Sequence, residues 1–213
     1  MNIYSFPTFN LTKVLFTAEE LGMPYTLHLM KLGEHRKPEH LARHPMGKVP
    51  AVEINGQFYF ESNSICRLMA ELNGNKLYAN TPEERAHINE WVDFLGHHVG
   101  RWLSTYFVEE VVNPGLLKKP TSASALEEAA AQSKQQLPVL EKVLAEHEFI
   151  VGKQITIADT IGFSLFSVKE ITSVNLDGYP NVQRWYQMMK ARPAYARAMK
   201  QIPNGNMFAV FGK

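Results

Sequence analysis

The chain has 213 residues, 45% hydrophobic and 20% charged, with 22 basic against 21 acidic side chains and a formal net charge of +1. This is an ordinary globular composition, long enough for one large or two modest domains, with no basic excess to suggest nucleic acid or an anionic membrane as partner. No apolar run approaches the ~18 residues needed to span a bilayer, the start MNIYSFPTFN lacks a basic-then-apolar leader, and the single Cys66 rules out an intramolecular disulfide, so a reducing cytoplasm is the expected compartment.

Asn2 to Ser5 reads as a short strand, followed by a loop from Phe6 to Asn10 containing Pro7. Val14, Leu15, Ala18 and Leu21 then recur at helical spacing, and Gly22 stops that helix. Tyr25 to Leu29 alternates as a second strand, so the chain opens β-α-β, the unit that builds parallel strands. Val52–Ile54 and Phe58–Phe60 flank Asn55-Gly56, a dipeptide that favours a tight hairpin. Ser62 is a good helix cap, and Ile65, Leu68, Met69 and Leu72 form an apolar stripe ending near Gly74. The order β-α-β-α-β-β-α is thioredoxin-like. Asn73 to Thr81 reads as a linker, after which strand signals nearly vanish. A long helical stretch starts at Pro82, with Trp91, Leu95, Val99 and Trp102 near one face. Further helices follow over about 125–147, from Ile157, and over 182–190 and 194–200. The predicted fold is α/β plus all-α: a thioredoxin-like domain over about 1–75, then an all-helical domain over 82–213.

The chemistry concentrates between Gly33 and Ser62. Val49-Pro50 precedes a strand, where a proline's missing N–H does no harm. A cis bond there turns the Val49 backbone groups outward as a free edge, and an extended peptide can pair with such an edge. Glu61-Ser62 opens a helix, offering a carboxylate for an ammonium and a hydroxyl with helix N–H groups for a carboxylate. Together these residues suit a small anionic peptide held by its backbone.

GEHRKPEHLARHPMGKVPAV followed by FYFESNSI resembles the N-terminal domain of cytosolic glutathione transferases, nearest the phi class and of a bacterial type. The match covers roughly the first 75 residues, with a weaker one at Ile155-Thr156-Ile157-Ala158-Asp159. The resemblance implies glutathione as co-substrate, conjugation of its thiolate to a hydrophobic electrophile, and a homodimer. It also assigns residues: His35 and Arg36 to the glycine carboxylate, Lys48, Val49 and Pro50 to the peptide backbone, and Glu61 and Ser62 to the γ-glutamyl end.

Such an enzyme must hold a bound thiol as thiolate at neutral pH. The class pattern places a serine six residues before Val14, where this chain has Thr8. Ser5 and Asn10 are the alternative donors, and Thr8 and Asn10 can also simply cap the first helix. Threonine followed two positions later by asparagine also resembles bacterial glutathione-dependent disulfide reductases. Disulfide or peroxide reduction is therefore a second reading, and a non-catalytic glutathione-binding scaffold a third. This loop has no cysteine, so any redox turnover must borrow sulfur from glutathione. Cys66 reads as a small buried hydrophobe, and Thr156 to Asp159 as a capping box serving the fold. No metal site is expected, because His97-His98 has no third ligand at suitable spacing. Trp102, Tyr106 and 113–117 are expected to line the electrophile pocket, with Pro7 and Phe9 as its floor and the tail 206–213 folding over it.

Overall fold

The computed structural model describes residues 1–211, so the last two positions of the expected tail, Gly212 and Lys213, lie outside the described residues. Strands β1 (Asn2–Ser5), β2 (Thr26–Leu29), β3 (Ala51–Ile54) and β4 (Gln57–Tyr59) form one sheet in the order β2-β1-β3-β4. β1 and β2 are parallel, and the other two pairs antiparallel. The parallel pair follows from the crossover helix α1 (Phe9–Leu21), and the β3–β4 hairpin from Asn55 and Gly56, both at positive φ. α1 begins two residues earlier than the loop reading allows. Thr8 is its cap, accepting the Leu11 N–H at 3.1 Å, and Gly22 closes it in the left-handed conformation. The short α2 (Pro38–Leu41) and then α3 (Ser62–Leu72) complete the thioredoxin-like domain.

One expectation is corrected at α3. Ser62 is its first residue, not its cap; Glu61 takes the cap position at φ 67° and ψ 101°, without a side-chain capping bond. A non-glycine residue at positive φ is uncommon and is held there by its surroundings.

From Pro82 the chain is helical to Leu117. α4 (Pro82–Asp93) and α5 (Gly100–Phe107) are joined by π-helical turns over Phe94–Val99, and a second wide stretch, Val108–Leu117, contains Pro114. α6 (Ala123–Glu146), α7 (Ile157–Phe166), α8 (Pro180–Lys190) and α9 (Pro193–Lys200) follow. α7 is buried along its whole length, and Thr156 with Asp159 closes a capping box at its start. None of the described helices is long and apolar enough to cross a membrane.

α1 packs against α3 in its own domain and against α7 and α9 in the helical one. Phe16 meets the Phe163 and Tyr195 rings, each at 5.5 Å. The Thr17 and Thr160 hydroxyls bond at 2.8 Å, and Glu20 and Glu19 pair with Arg192 and Arg197. α1 is therefore fixed at the seam between the domains.

Candidate functional site

A cavity of about 250 Å³ opens at that seam. Its walls are Asn10 and Lys13 of α1, His44, the run Lys48-Val49-Pro50, the run Glu61-Ser62-Asn63, and Gly96 with His97 from the wide turn after α4. Six of the ten residues singled out from the sequence thus share one wall. The Val49–Pro50 peptide is cis. Among the described residues the Val49 N–H donates no backbone hydrogen bond and its C=O accepts none.

Ser62 is buried, and its hydroxyl lies between two α1 side chains: it donates to Asn10 Oδ1 at 3.4 Å and accepts from Lys13 Nζ at 3.5 Å. Glu61 is exposed at the cavity rim. Lys48 is also exposed, and its carbonyl accepts the His40 Nε2–H at 2.7 Å. His35 and Arg36 do not line this cavity. They form a short 3₁₀ turn in which His35 sits edge-on to Phe6 with ring centres 5.3 Å apart. Gly47 ties that turn to the Val49 segment, since a Cβ there would lie 2.6 Å from the His35 carbonyl. Burial, then the neighbouring Arg36 charge, pushes the His35 imidazole below its usual range, so at neutral pH Arg36 supplies the positive charge of the pair.

The three candidate thiol donors are in different settings. Ser5 is fully buried and donates to the Phe6 carbonyl at 2.8 Å, outside the cavity. Thr8 is buried at the head of α1; its Oγ1 accepts the Leu11 N–H and, among the described residues, donates to nothing. Asn10 alone of the three lines the cavity.

The expected electrophile pocket is rearranged. Trp102 and Tyr106 line a separate cavity of about 280 Å³ with α6 and residues 173–179, and neither Pro7 nor Phe9 borders it. The Trp102 N–H donates to Gln136 at 2.9 Å, and its ring packs on Phe166, so it is a core residue. Phe107 instead stands over the Thr8 loop, edge-on to Phe9 at 5.5 Å. The tail covers Phe107 from the other side, with Phe208 at 5.9 Å and Phe211 at 5.0 Å. Residues 113–117 lie against that tail: the Gly115 backbone comes so near that a Cβ would sit 3.0 Å from the Phe211 carbonyl. A larger cavity of about 490 Å³, between residues 169–177 and α8, holds none of the motif residues.

Lys13, His44, Asn63, Gly96 and His97 escaped the sequence reading. Lys13 left a trace, as the one charge on α1 before Glu19. Gly96 matters because a Cβ there would lie 2.9 Å from Asn63, so its absence lets the α4 end approach α3. Among the described residues no three His, Cys, Asp or Glu side chains cluster as a metal site would require.

Comparison with known proteins places the cavity in context. Residues 11–72 match the model for the glutathione S-transferase N-terminal domain, and residues 101–193 the model for the C-terminal domain. Glutathione S-transferase 4 of Zea mays is 30% identical over 199 residues, covering 91% of this chain and 89% of that protein. Elongation factor 1-gamma 1 of Oryza sativa is 32% identical over 207 residues, but this chain spans only 46% of it. The theta class glutathione S-transferase of Xanthomonas axonopodis pv. citri, solved with glutathione bound, superposes with a TM-score of 0.83 at 26% identity over 92% of this chain and 95% of that one.

Proposed function

The chain belongs to the glutathione S-transferase family, and from that premise we propose that it joins the thiolate of glutathione to hydrophobic electrophiles. The observation that carries the reading is the single cavity in which the head of α1, the Val49-Pro50 edge and the Glu61-Ser62 pair converge. Glutathione fits this donor set. The Val49 backbone pairs with its cysteinyl unit, Glu61 takes the ammonium and Ser62 the α-carboxylate of the γ-glutamyl end, and Arg36 reaches the glycine carboxylate. Residues 1–75 hold the peptide, and residues 82–213 contribute the apolar surface that receives the electrophile.

The activation step needs no general base. A thiol of pKa about 8.5 falls to about 7 beside good donors, and each unit is about 1.36 kcal/mol. One hydrogen bond to a charged group supplies about 1.5–3 kcal/mol, and a helix N-terminus about 0.3–1 kcal/mol. Thr8, at the head of α1 with its hydroxyl hydrogen uncommitted, is the preferred donor, with Asn10 the next. The thiolate then attacks the electrophile, and the leaving group departs with the displaced electron pair.

A homodimer, a cytoplasmic location and a role in detoxification complete the reading. The bacterial subtype rests on the Thr8 and Asn10 loop alone, and the curated relatives above are plant proteins. The Thr8-x-Asn10 spacing also favours a second activity, glutathione-dependent reduction of disulfides or peroxides. The kinship to an elongation factor subunit keeps a non-catalytic glutathione-binding scaffold in view. One assay separates them: glutathione with an activated aryl halide, and in parallel with a small mixed disulfide. Conjugation of the halide at a rate saturable in both substrates is the expected result. Thiol exchange without conjugation would move the assignment to reductase, and binding without either reaction to scaffold.

The tail sets a further expectation. Phe208→Ala removes an aromatic ring from above Phe107 and Phe9. The KM for bulky apolar electrophiles should rise severalfold while glutathione affinity stays unchanged, because apolar area is the main source of affinity in such a pocket. Steady-state kinetics over a series of electrophiles of increasing size would reveal it, and no size dependence would argue against the tail as a wall of the pocket.

A further inference from the structure

The Val49 edge follows a turn, His44-Pro45-Met46-Gly47, that side chains hold from several directions. His44 Nδ1 accepts the Met46 N–H at 3.4 Å, and the Gly47 N–H returns to the His44 carbonyl at 2.8 Å. Arg36 donates to the Met46 carbonyl at 3.5 Å, and the His40 Nε2–H to the Lys48 carbonyl at 2.7 Å. His44 is only 3% exposed, yet it borders the seam cavity. Its ring centre lies 5.0 Å from that of Phe60 and 6.4 Å from that of His40.

An accepting Nδ1 carries no proton, so this geometry belongs to the neutral imidazole with its proton on Nε2. A second proton makes both ring nitrogens donors. It sets an N–H against the Met46 N–H, ends that bond and places a charge in a buried site. The turn then loses the contact that orients the residues just before Val49.

The charged and titratable groups around His44 come from every element packed near it. They are His40 of α2, Lys48 of the segment that follows, Arg36 of the 3₁₀ turn on the Met46 carbonyl, and Glu61 at the start of α3. Lys13 of α1 and His97 of the helical domain share the cavity with it. Arg43, its chain neighbour, places its guanidinium over the Tyr4 ring at 4.0 Å. Burial pushes the His44 imidazole below its usual range; the Glu61 carboxylate pulls it up, and His40 and Lys48 push it down. Glu61 is also the carboxylate assigned above to the γ-glutamyl ammonium. Bound glutathione therefore occupies a carboxylate that otherwise favours the charged ring.

We propose that neutral His44 is a positioning residue for the Val49 edge, and that a proton on His44 and glutathione in the cavity oppose one another. The proposal rests on the glutathione reading of the cavity. Two contacts set up the opposition: the turn needs a bare Nδ1, and Glu61 serves either the imidazolium or the ligand ammonium. Linked binding is reciprocal, so the ligand drives the proton off His44 as strongly as the proton drives the ligand off. Affinity is full above the His44 pKa and is lost as pH falls through it, by at most about tenfold per pH unit for one proton.

The probe is S-methylglutathione, which has no thiol to ionise and whose carboxylates and ammonium keep their charges between about pH 5 and 7. It is titrated calorimetrically across that range into wild type, His44→Asn and His35→Gln. Asparagine offers a carbonyl oxygen to the same N–H in an Asx turn and does not titrate. Wild type should bind about tenfold more weakly at the acid end than at the neutral end. His44→Asn should bind about equally at both, and His35→Gln should keep the fall. A fall that survives in His44→Asn would put the proton on another group, such as His97, and overturn the proposal. The ring signals of His44 give a test that needs no folded variant: adding S-methylglutathione to wild type should move their NMR titration midpoint to lower pH, and an unmoved midpoint overturns the proposal. Wild-type binding that is flat over the range removes the role of His44 alone, whereas no binding at any pH removes the glutathione reading as well.

Discussion

Thr8→Ala is expected to return the thiol of bound glutathione to near its solution pKa, about 8.5, and to lower kcat/KM at pH 7 by about ten to a hundredfold, the equivalent of one to two pKa units. The Thr8 hydroxyl accepts the Leu11 N–H at 3.1 Å, an orientation that leaves its hydrogen free to point away from α1. A hydroxyl so placed can donate to a thiolate while capping the helix. Alanine removes both functions, so two readouts are needed. The thiolate absorbance of bound glutathione, titrated over pH, reports the donor. Thermal unfolding reports the cap, which should cost about 1 kcal/mol. Thr8→Ser keeps the hydroxyl and should preserve both. Because the rate follows the thiolate fraction, wild-type activity should rise with pH and level off above the lowered thiol pKa. In Thr8→Ala the same rise should move upward by the lost shift. An unmoved profile would transfer the role to Asn10, whose amide lines the cavity. Ser5 is the weaker substitute, because its hydroxyl is committed to the Phe6 carbonyl.

The largest loss of stability is expected from Asp159→Ala, about 3–5 kcal/mol, because it strands several buried donors that each cost about 1–3 kcal/mol when unpaired. The Asp159 carboxylate is fully buried on α7. It accepts the Ile150 N–H at 2.9 Å and the Trp185 indole N–H at 3.0 Å on one oxygen, and the Thr156 N–H at 2.9 Å and hydroxyl at 3.1 Å on the other. One side chain thus joins the segment before α7, the helix start and α8. Burial pushes its carboxyl up, and these four donors pull it back. For a domain pair of this size each kcal/mol moves the melting point by about 2–4 °C, so a fall of roughly 6–20 °C is expected. Glutathione affinity measured well below the transition should be unchanged, since Asp159 does not border the seam cavity. A melting point within a few degrees of wild type would mean that water replaces the carboxylate at little cost.

Lys13 and Asp159 make a useful contrast. Both are buried charges, but Asp159 is surrounded by donors from its own domain, while Lys13 has two weak acceptors and an open cavity beside it. The first arrangement is complete within the protein, whereas the second faces open space.

Much of this protein was legible in its sequence because it depends on neighbours in the chain. Asn55-Gly56 makes a hairpin because both residues tolerate positive φ. Gly22 ends α1 for the same reason, and Thr156 with Asp159 caps α7 by bonds that span three residues. The strand and helix order followed from periodicity, and the Val49-Pro50 and Glu61-Ser62 pairs, singled out by residue type, line one cavity. Only the tertiary structure decided the rest. It put Lys13 49 residues from Ser62 in sequence yet within hydrogen-bonding reach of it, brought His97 of the helical domain to the seam cavity, and laid the tail aromatics on Phe107. It also moved the cap of α3 from Ser62 to Glu61 and left Trp102 in the core. The physical reason is range. Turns, caps and periodic faces are set by dihedral preferences over a few residues, and these are written locally. Which charge is buried, and against what, depends on how α1 packs between α3, α7 and α9, a balance of apolar burial over the whole chain that no short segment contains.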